Sequence, residues 1–390
     1  MFKELSDLRH VRNFNRVILP VSLAFFIYTF GWGVTSPVFS IYVSKVTGSP
    51  FLTGLILSIT TMAGIFLNIP FGIIESRLNM KRVLQVVLLF YSGLALLYPQ
   101  ATSFLPLLAL SIGRGLASSF LWLTSWAYIF TYTDKAFRGK ETGFFSDMND
   151  FASSVSPIVG GLLSILSFLF PFYVLSITSF IAFVVVSISL TEIPRPQKAS
   201  LGLQMAKLSD HMRDMMFAKT VFMIVVFYAL INVYYSFLPV FLNGEGISIP
   251  MIGIVMTVAL LPAVALEVPI GHLLDRYGIR KTLSAAVLLT AATAIMIPLS
   301  NDFYYASVVV TAFTACYTVI FIALYSRMSD VMRRDKIAMT GALATFKDLG
   351  YTTGPLLAGT MMGSIGIGNT FLIAGAGFIL LLPVTLTLHD

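Results

Sequence analysis

Three charged side chains inside apolar stretches form the first candidate site of this 390-residue sequence. Asp147 and Asp150 lie one helical turn apart in "GFFSDMNDFASSVSPIVGG", so a helix places both carboxylates on one face. Arg114 lies in the apolar stretch before them. Two acids and one base leave one carboxylate without a full partner, which suits a proton carrier. The pattern predicts proton coupling in which Arg114 contacts Asp150 and Asp147 is the second acid.

The stretches that carry these charges are predicted membrane spans. The sequence is 57% hydrophobic and 11% charged, against about 25% charged in soluble proteins. Apolar runs of at least about 18 residues predict spans. Arg114 and Asp150 then lie about 15 Å deep at 1.5 Å per residue. Twelve spans are predicted: 17–43, 51–74, 82–99, 104–130, 140–167, 171–192, 219–242, 249–271, 282–299, 303–329, 337–362 and 367–388.

The basic residues orient these spans. With the N-terminus in the cytoplasm, 22 of the 25 Lys and Arg fall in cytoplasmic segments and Lys45 alone falls outside. Arg114 and Lys347 lie within spans. Loop Lys and Arg prefer the cytoplasm, so the sequence predicts a multi-pass protein of the cell membrane with both termini cytoplasmic. The net charge of +7 is a topology signal, and no nucleic-acid partner is expected.

A polar interruption divides the chain into two halves. Residues 1–193 are predicted to form one six-helix bundle and residues 218–390 a second. The linker 194–217 has apolar residues at three- and four-residue steps, which is typical of an amphipathic helix on the membrane surface. A plain flexible linker is the alternative.

The two halves repeat each other at a shift of 198 residues. "GFFSDMNDFASSVSPIVGG" falls on "GALATFKDLGYTTGPLLAG", so that Asp150 meets Asp348 and Pro157 meets Pro355. We expect each proline to kink its span. Lys347 and Asp348 lie at the matching depth of the second half, about 100° apart around a helix. One of the two is expected at a central cavity and the other between the halves.

Several motifs resemble those of the major facilitator superfamily. "GHLLDRYGIRK" resembles its gating-loop motif in Gly271, Asp275, Arg276, Gly278 and Arg280. The first-half copy, "GIIESRLNMKR", keeps Gly72 and Arg77 and departs from the motif at Ser76 and Asn79. "SPIVGG" resembles the fifth-span motif of the drug/proton antiporter branch. The resemblance implies twelve helices in two bundles related by a pseudo-two-fold axis, working by alternating access.

The resemblance also implies that spans one, four, seven and ten line a central cavity. An aromatic wall with few polar groups suits a lipophilic substrate. Trp122 and Trp126 lie near the inner interface, where aromatic belts form, so membrane anchoring is an alternative for them. The candidate cavity residues are Tyr28, Trp32, Asn232, Tyr234 and Tyr317, with Lys347 and Asp348 from span eleven.

The favoured function is proton-coupled efflux of a lipophilic or cationic compound. The first alternative is an organic-anion or metabolite carrier in which Arg114 and Lys347 clasp the anion. A binding or sensor protein that does not transport is a remote alternative. No enzyme motif is present, and one Cys and four His provide no metal cluster. We therefore expect no cofactor, and the family habit is a monomer.

Overall fold

The computed structural model describes residues 14–67, 78–133, 137–190, 214–331 and 336–387. Every regular element in these ranges is helical. The first half contains α1 Leu19–Thr47, α2 Pro50–Leu67, α3 Met80–Leu97, α4 Phe104–Tyr132, α5 Arg138–Leu163 and α6 Phe170–Ser189. The second contains α7 Met215–Gly244, α8 Ile249–Ala265, α9 Glu267–Tyr277, α10 Ile279–Met296, α11 Phe303–Val331, α12 Lys336–Ile365, α13 Ile367–Gly377 and α14 Leu382–Leu386.

The helices account for the twelve predicted spans. Among the described residues, nine helices are long and apolar enough to cross a membrane. The other three spans are α5 and α12, which carry the charged repeat, and α8, which continues into α9. Short 3-10 turns follow α3 and α10, and a third joins α13 to α14. The prediction of an all-helical, multi-pass fold is confirmed.

Small residues let α1 pack closely within the first half. A Cβ at Gly31 would lie 2.9 Å from the Cβ of Thr178 on α6. A Cβ at Gly160 of α5 would lie 2.8 Å from the carbonyl carbon of Val34. Apolar side chains gain little by leaving lipid, so close backbone approach at small residues is what holds membrane helices together. Helix α1 is therefore fixed between α5 and α6.

The second half repeats this packing between α7 and α12. A Cβ at Gly350 would lie 2.6 Å from the carbonyl oxygen of Val225, and one at Gly354 would lie 3.1 Å from the carbonyl carbon of Ala229. Gly354 is the repeat equivalent of Ser156, which packs against Gly33. Helix α7 thus occupies the position in its half that α1 occupies in the first.

Two matching crossings join the halves near the predicted extracellular face. At the first, α5 meets α8, and a Cβ at Gly161 would lie 3.1 Å from the Cα of Gly253. At the second, α2 meets α12, and a Cβ at Gly54 would lie 3.1 Å from the Cα of Gly359. The carbonyl oxygens of Pro157 and Pro355 face Gly253 and Gly54. The repeated Pro–Gly motif therefore forms the contact between the halves, and α5 and α12 continue through their prolines.

The predicted gating motif of the second half joins α9 to α10. Gly278 has φ of 78°, a conformation that L side chains rarely adopt, which explains the glycine at this position. Gly271 and Asp275 lie on α9, where Asp275 is exposed. The guanidinium of Arg276 lies 5.3 Å from the ring centroid of Tyr277. Arg280 is exposed in the first turn of α10. The first-half residues Gly72 and Arg77, and linker residues 194–213, lie outside the described residues.

Candidate functional site

Arg114 is buried near the middle of α4, with 7% of its surface exposed. Its Nε donates a hydrogen bond of 3.1 Å to the hydroxyl of Tyr91 on α3. Its guanidinium carbon lies 4.0 Å from the ring centroid of Phe39 on α1. A desolvated cation over an aromatic face is stabilised by about 2 kcal/mol. Three helices of the first half therefore hold this charge with an aromatic ring and a phenol.

Two further tyrosines pack against the residues that contact Arg114. The ring of Tyr98 meets that of Phe39 edge to face, with ring centroids 5.6 Å apart. Tyr28 meets Tyr91 edge to face with ring centroids 5.0 Å apart, and its hydroxyl lies 3.4 Å from that of Ser118. The structure thus places the predicted cavity residue Tyr28 against Tyr91, the residue that accepts the hydrogen bond of Arg114. No carboxylate is among the contacts of Arg114 in the described part of the chain.

The predicted contact between Arg114 and Asp150 is therefore absent from the described contacts of Arg114. The reason is the rotation of α5. Asn149 is the residue of α5 that faces α1, where its Oδ1 accepts a hydrogen bond of 2.9 Å from Thr29. Asp150 lies about 100° further around the helix, away from the side on which Arg114 is enclosed.

Asp147 and Asp150 are both exposed on α5. Their face continues, at helical spacing, through Pro157 and Gly161, which pack on α8. The backbone N–H of Ile158 donates to the hydroxyl of Thr257 on α8 at 2.9 Å. The two acids thus extend the half-to-half face of α5 towards its predicted cytoplasmic end.

Lys347 of α12 lies against aromatic rings from both halves. Its Nζ is 5.6 Å from the ring centroid of Trp122 on α4 and 6.0 Å from that of Tyr351 on α12. The side chain is half-buried, and its described contacts include no carboxylate. Trp122, for which membrane anchoring was the alternative, therefore meets the second half of the protein.

The carboxylate of Asp348 faces α2 of the first half and lies between the two halves. A Cβ at Gly64 of α2 would lie 3.0 Å from the carboxyl carbon of Asp348. One turn further along α12, the hydroxyls of Thr61 and Thr352 are 3.0 Å apart across the same crossing. Lys347 and Asp348 therefore both contact the first half, and the expectation that one of them faces a central cavity stays a prediction.

Tyr234, a predicted cavity residue, is buried in the packing of the second half with 1% of its surface exposed. Its hydroxyl donates to the carbonyl oxygen of Phe371 at 2.6 Å, and its ring lies 4.8 Å from those of Phe313 and Phe371. Tyr235, one residue on, is exposed and pairs its hydroxyl with that of Tyr317. A rotation of about 100° separates the packing residue from the exposed one.

Replacing Tyr234 with Phe should lower stability and leave transport unchanged. The variant keeps the ring contacts and loses one buried hydrogen bond, which is worth about 1 kcal/mol. Thermal unfolding and solute uptake in vesicles would be measured together, with Tyr235→Phe as the matched variant. If Tyr234→Phe lowers substrate affinity without lowering stability, this prediction is wrong and Tyr234 contacts the substrate.

Asn232 compensates for the proline of α12. Pro355 has no N–H, so the carbonyl oxygen of Tyr351, four residues earlier, loses its helical partner. The Nδ2 of Asn232 donates to this oxygen at 2.5 Å. Asn232 is 8% exposed and joins α7 to α12. This structural role was not part of its prediction as a cavity residue.

Trp32 is the most exposed of the predicted cavity residues, at 41%. Its neighbours Gly31 and Gly33 face α6 and α5 respectively. At about 100° per residue, Trp32 therefore lies on the remaining side of α1. This position is compatible with its predicted role.

Sequence reasoning missed the residues that enclose the two cations. Tyr91 and Phe39 contact Arg114, and Tyr351 contacts Lys347. In a chain with 33 Phe and 16 Tyr, an aromatic residue carries no signal of its own. The position of Tyr351, four residues after Lys347 on one helical face, was the single available clue. No cluster of His, Cys, Asp or Glu suited to a metal ion occurs among the described residues.

These features define a polytopic membrane protein built from two repeated helical halves with charged groups at mid-depth. The family model of the Major Facilitator Superfamily matches residues 21–248 and 220–389. The chain therefore belongs to this superfamily of transporters. A sequence search of curated proteins found no match.

Solved structures share the fold at low sequence identity. The nucleoside transporter NupG has a TM-score of 0.79 at 14% identity, covering 94% of this chain and 98% of its own. The human organic anion transporter MFSD10 has a TM-score of 0.68 at 14% sequence identity, and the match covers 95% of this chain and 99% of that transporter. A third structure is that of a bacterial homologue of the human lysosomal transporter Spinster in an inward-facing, unoccupied conformation. Its TM-score is 0.76 at 14% sequence identity, and the match covers 95% of each chain. These likenesses show the fold alone.

Proposed function

We propose that this transporter carries a small organic anion with an aromatic body by alternating access. The observation that carries the proposal is the state of the two cations within the spans. Arg114 and Lys347 each lie near aromatic rings, and neither contacts a carboxylate in the described part of the chain. Cations that are kept at membrane depth without an acid remain able to attract an anion.

The energetics favour a bound anion. A charge at the centre of a membrane helix costs about 2.5–3.5 kcal/mol on insertion scales. A cation–π contact returns about 2 kcal/mol when desolvated and less when partly exposed. For Arg114, the ring contact and the hydrogen bond to Tyr91 offset most of this cost. For Lys347, whose rings lie 5.6 and 6.0 Å from its Nζ, the ring contacts leave part of the cost uncompensated. An anionic substrate supplies the remainder, whereas a cationic substrate would raise the cost.

The placement of the cations suits a substrate that contacts both halves. Arg114 belongs to the first half, and Lys347 reaches Trp122 of the first half from the second. Aromatic faces beside Lys347 give a planar substrate body an apolar surface. The same fold serves a nucleoside transporter and an organic anion transporter, so aromatic and anionic solutes are both within its range.

The test is uptake of radioactive benzoate into proteoliposomes, compared with uptake of tetraphenylphosphonium, a lipophilic cation. Benzoate uptake should saturate and should fall at least about tenfold in Lys347→Gln, because the lost charge pair is worth more than about 1.4 kcal/mol. Lys347→Arg should retain part of the activity.

Lys45→Gln is the matched control for Lys347→Gln. Lys45 lies 4.4 Å from the ring centroid of Phe168, so its substitution removes the same kind of contact near the predicted extracellular face. Transport should be unchanged in this variant. Saturable uptake of the cation, with none of benzoate or of other small aromatic carboxylates, would contradict the proposed function.

Proton-coupled efflux of a lipophilic or cationic compound is the second candidate. It is favoured by the exposure of Asp147 and Asp150 on α5. If the two acids carry protons, the double variant Asp147→Asn, Asp150→Asn should abolish substrate-driven pH changes inside the vesicles while substrate still binds. Glu245→Gln, at an exposed acid that follows α7, is the control. An unchanged pH response in the double variant would exclude both acids from coupling.

A further inference from the structure

Tyr235 is exposed on a helix that other helices enclose. Helix α7 packs against α1, α8, α11, α12 and α13. Of its described residues between Phe222 and Gly244, Tyr235 alone is exposed, at 37%. Helix α3, by contrast, exposes a stripe of apolar residues from Val86 to Leu97, as a helix that faces lipid does. The exposed surface of Tyr235 therefore faces a space inside the protein.

The equivalent helix of the first half shows the same pattern. Helix α1 packs against helices of its own half and against α7 and α8 of the other. Of the described residues of α1 between Leu23 and Lys45, Trp32 alone is exposed. Trp32 and Tyr235 thus line the interior of the protein, one from each half.

The hydroxyl of Tyr235 has a fixed direction and a free hydrogen-bonding position. It pairs with the hydroxyl of Tyr317 on α11, whose ring is held between those of Phe227 and Phe313 at centroid distances of 6.3 and 5.4 Å. Tyr317 is the partner that the described residues provide for this hydroxyl. A phenol both donates and accepts hydrogen bonds. Whichever hydroxyl of the pair donates, Tyr235 therefore keeps its proton or its lone pairs for a ligand.

A chain of ring contacts places Tyr235 on the side of the second half that carries Lys347. The Nζ of Lys347 lies 6.0 Å from the ring centroid of Tyr351. That ring lies 4.9 Å from the ring of Tyr228 on α7. Tyr228 precedes Tyr235 by seven residues, which is about two helical turns, so the two share one face of α7.

Tyr235 and Lys347 lie at different depths in the membrane. Helices α7 and α12 run in the same direction, since each follows a predicted cytoplasmic segment. The hydrogen bond from Asn232 to the carbonyl oxygen of Tyr351 sets the two helices level at that point. Tyr235 follows Asn232 by three residues, and Lys347 precedes Tyr351 by four. Tyr235 therefore lies about 10 Å further towards the predicted extracellular face than Lys347, at 1.5 Å per residue.

We propose that Tyr235 binds a hydroxyl group at the end of the substrate opposite its carboxylate. The inference rests on the proposed function, in which Lys347 attracts the carboxylate, and it narrows the substrate class to hydroxylated aromatic acids. A hydroxyl both donates and accepts, so it fits Tyr235 in either state of the phenol pair. One aromatic ring with a carboxylate and a hydroxyl at opposite ends, and a hydrogen bond of about 3 Å at each end, suits the separation of Lys347 and Tyr235.

The experiment compares three anions of equal charge as inhibitors of radioactive benzoate uptake into proteoliposomes. Para-hydroxybenzoate carries its hydroxyl opposite the carboxylate, ortho-hydroxybenzoate carries it beside the carboxylate, and unlabelled benzoate has none. In wild type, para-hydroxybenzoate should inhibit at about three- to tenfold lower concentration than the other two, because one neutral hydrogen bond contributes about that factor. In Tyr235→Phe, which keeps the ring and loses the hydroxyl, this advantage should disappear.

Tyr228→Phe is the matched control. The hydroxyl of Tyr228 lies 3.1 Å from that of Tyr325, so it too belongs to a phenol pair between α7 and α11. Tyr228 is only 4% exposed, and its variant should keep the wild-type preference for para-hydroxybenzoate. Thermal unfolding provides a readout that does not depend on transport. Para-hydroxybenzoate should raise the unfolding midpoint more than benzoate does in wild type and in Tyr228→Phe, as the tighter ligand of the folded state, and equally in Tyr235→Phe.

The outcomes separate this inference from the proposed function. If benzoate is transported with dependence on Lys347 but the three anions inhibit equally in wild type, the role of Tyr235 is wrong and the proposed function stands. A preference for para-hydroxybenzoate that persists in Tyr235→Phe has the same meaning. If no aromatic carboxylate is transported, yet para-hydroxybenzoate stabilises wild type more than Tyr235→Phe, the hydroxyl site stands and the proposed function fails. If the anions are neither transported nor stabilising, both are overturned.

Discussion

Replacing Arg114 with Gln should lower benzoate uptake by at least about thirtyfold. Truncating one partner of a buried charge pair costs about 2–5 kcal/mol, and the substrate anion is the partner of Arg114 in the proposed function. Arg114→Lys should restore only part of the activity. An ammonium keeps the charge but loses the planar fork that binds a carboxylate and stacks on Phe39. Initial uptake rates in proteoliposomes, at matched protein content, measure the effect.

The stability of Arg114→Gln separates transport from simple helix packing. If Arg114 only fastens α4 to α1 and α3, the variant should unfold at a lower temperature and lose activity in proportion. In the proposed function, removing a desolvated charge that lacks an acid should leave stability unchanged or raise it. Tyr91→Phe, which removes the acceptor of the Nε hydrogen bond and keeps the charge, is the matched control and should retain most of the transport. A large loss of stability in Arg114→Gln with full activity in the surviving protein would contradict the prediction.

Replacing Gly253 or Gly54 with Val should slow transport by about fivefold or more, because it disfavours closure of the halves at the predicted extracellular face. A Cβ at Gly253 would lie 2.5 Å from the carbonyl oxygen of Pro157, and one at Gly54 would meet that of Pro355. Backbone atoms cannot move aside cheaply, and overpacking costs about 1–3 kcal/mol. A shift of that size disfavours the closed state by about five- to 150-fold. Because the two crossings are equivalent, each substitution should have a similar effect.

The control for both glycine variants is Gly93→Val on α3, where a Cβ would meet no atom within 4 Å. Accessibility at the α5–α8 crossing reports closure directly. A cysteine replacing Thr257, in a background in which Cys316 is replaced by Ala, should react faster with an impermeant maleimide from the extracellular side in Gly253→Val. In Gly93→Val the same cysteine should react at the rate found in the protein without a glycine substitution. Equal labelling in both variants, with transport intact, would show that the crossing does not limit closure.

The sequence by itself determined the architecture of this protein. Composition and apolar run length predicted the spans, because lipid requires about 20 apolar residues for each crossing helix. The 198-residue repeat predicted two equivalent halves, and the motif around Gly271 and Gly278 indicated the superfamily. These properties are local or periodic along the chain, so they can be read without knowing which helices touch. The Pro–Gly repeat was also visible, but its role in joining α5 to α8 and α2 to α12 was not.

Only the tertiary structure decided which side chains meet. Depth placed Arg114 level with Asp150, yet the rotation of α4 and α5 directs Arg114 to Tyr91 and Phe39. Neighbouring residues of a helix point about 100° apart, and the sequence does not show which of them is packed. Tyr234 is buried for this reason, whereas Tyr235 is exposed. In a soluble helix the polar face reveals this rotation, but in a membrane helix lipid-facing and packed sides are equally apolar. The rotation is set by close contacts at small residues and by hydrogen bonds between helices far apart in sequence, so it emerges only when the helices are assembled.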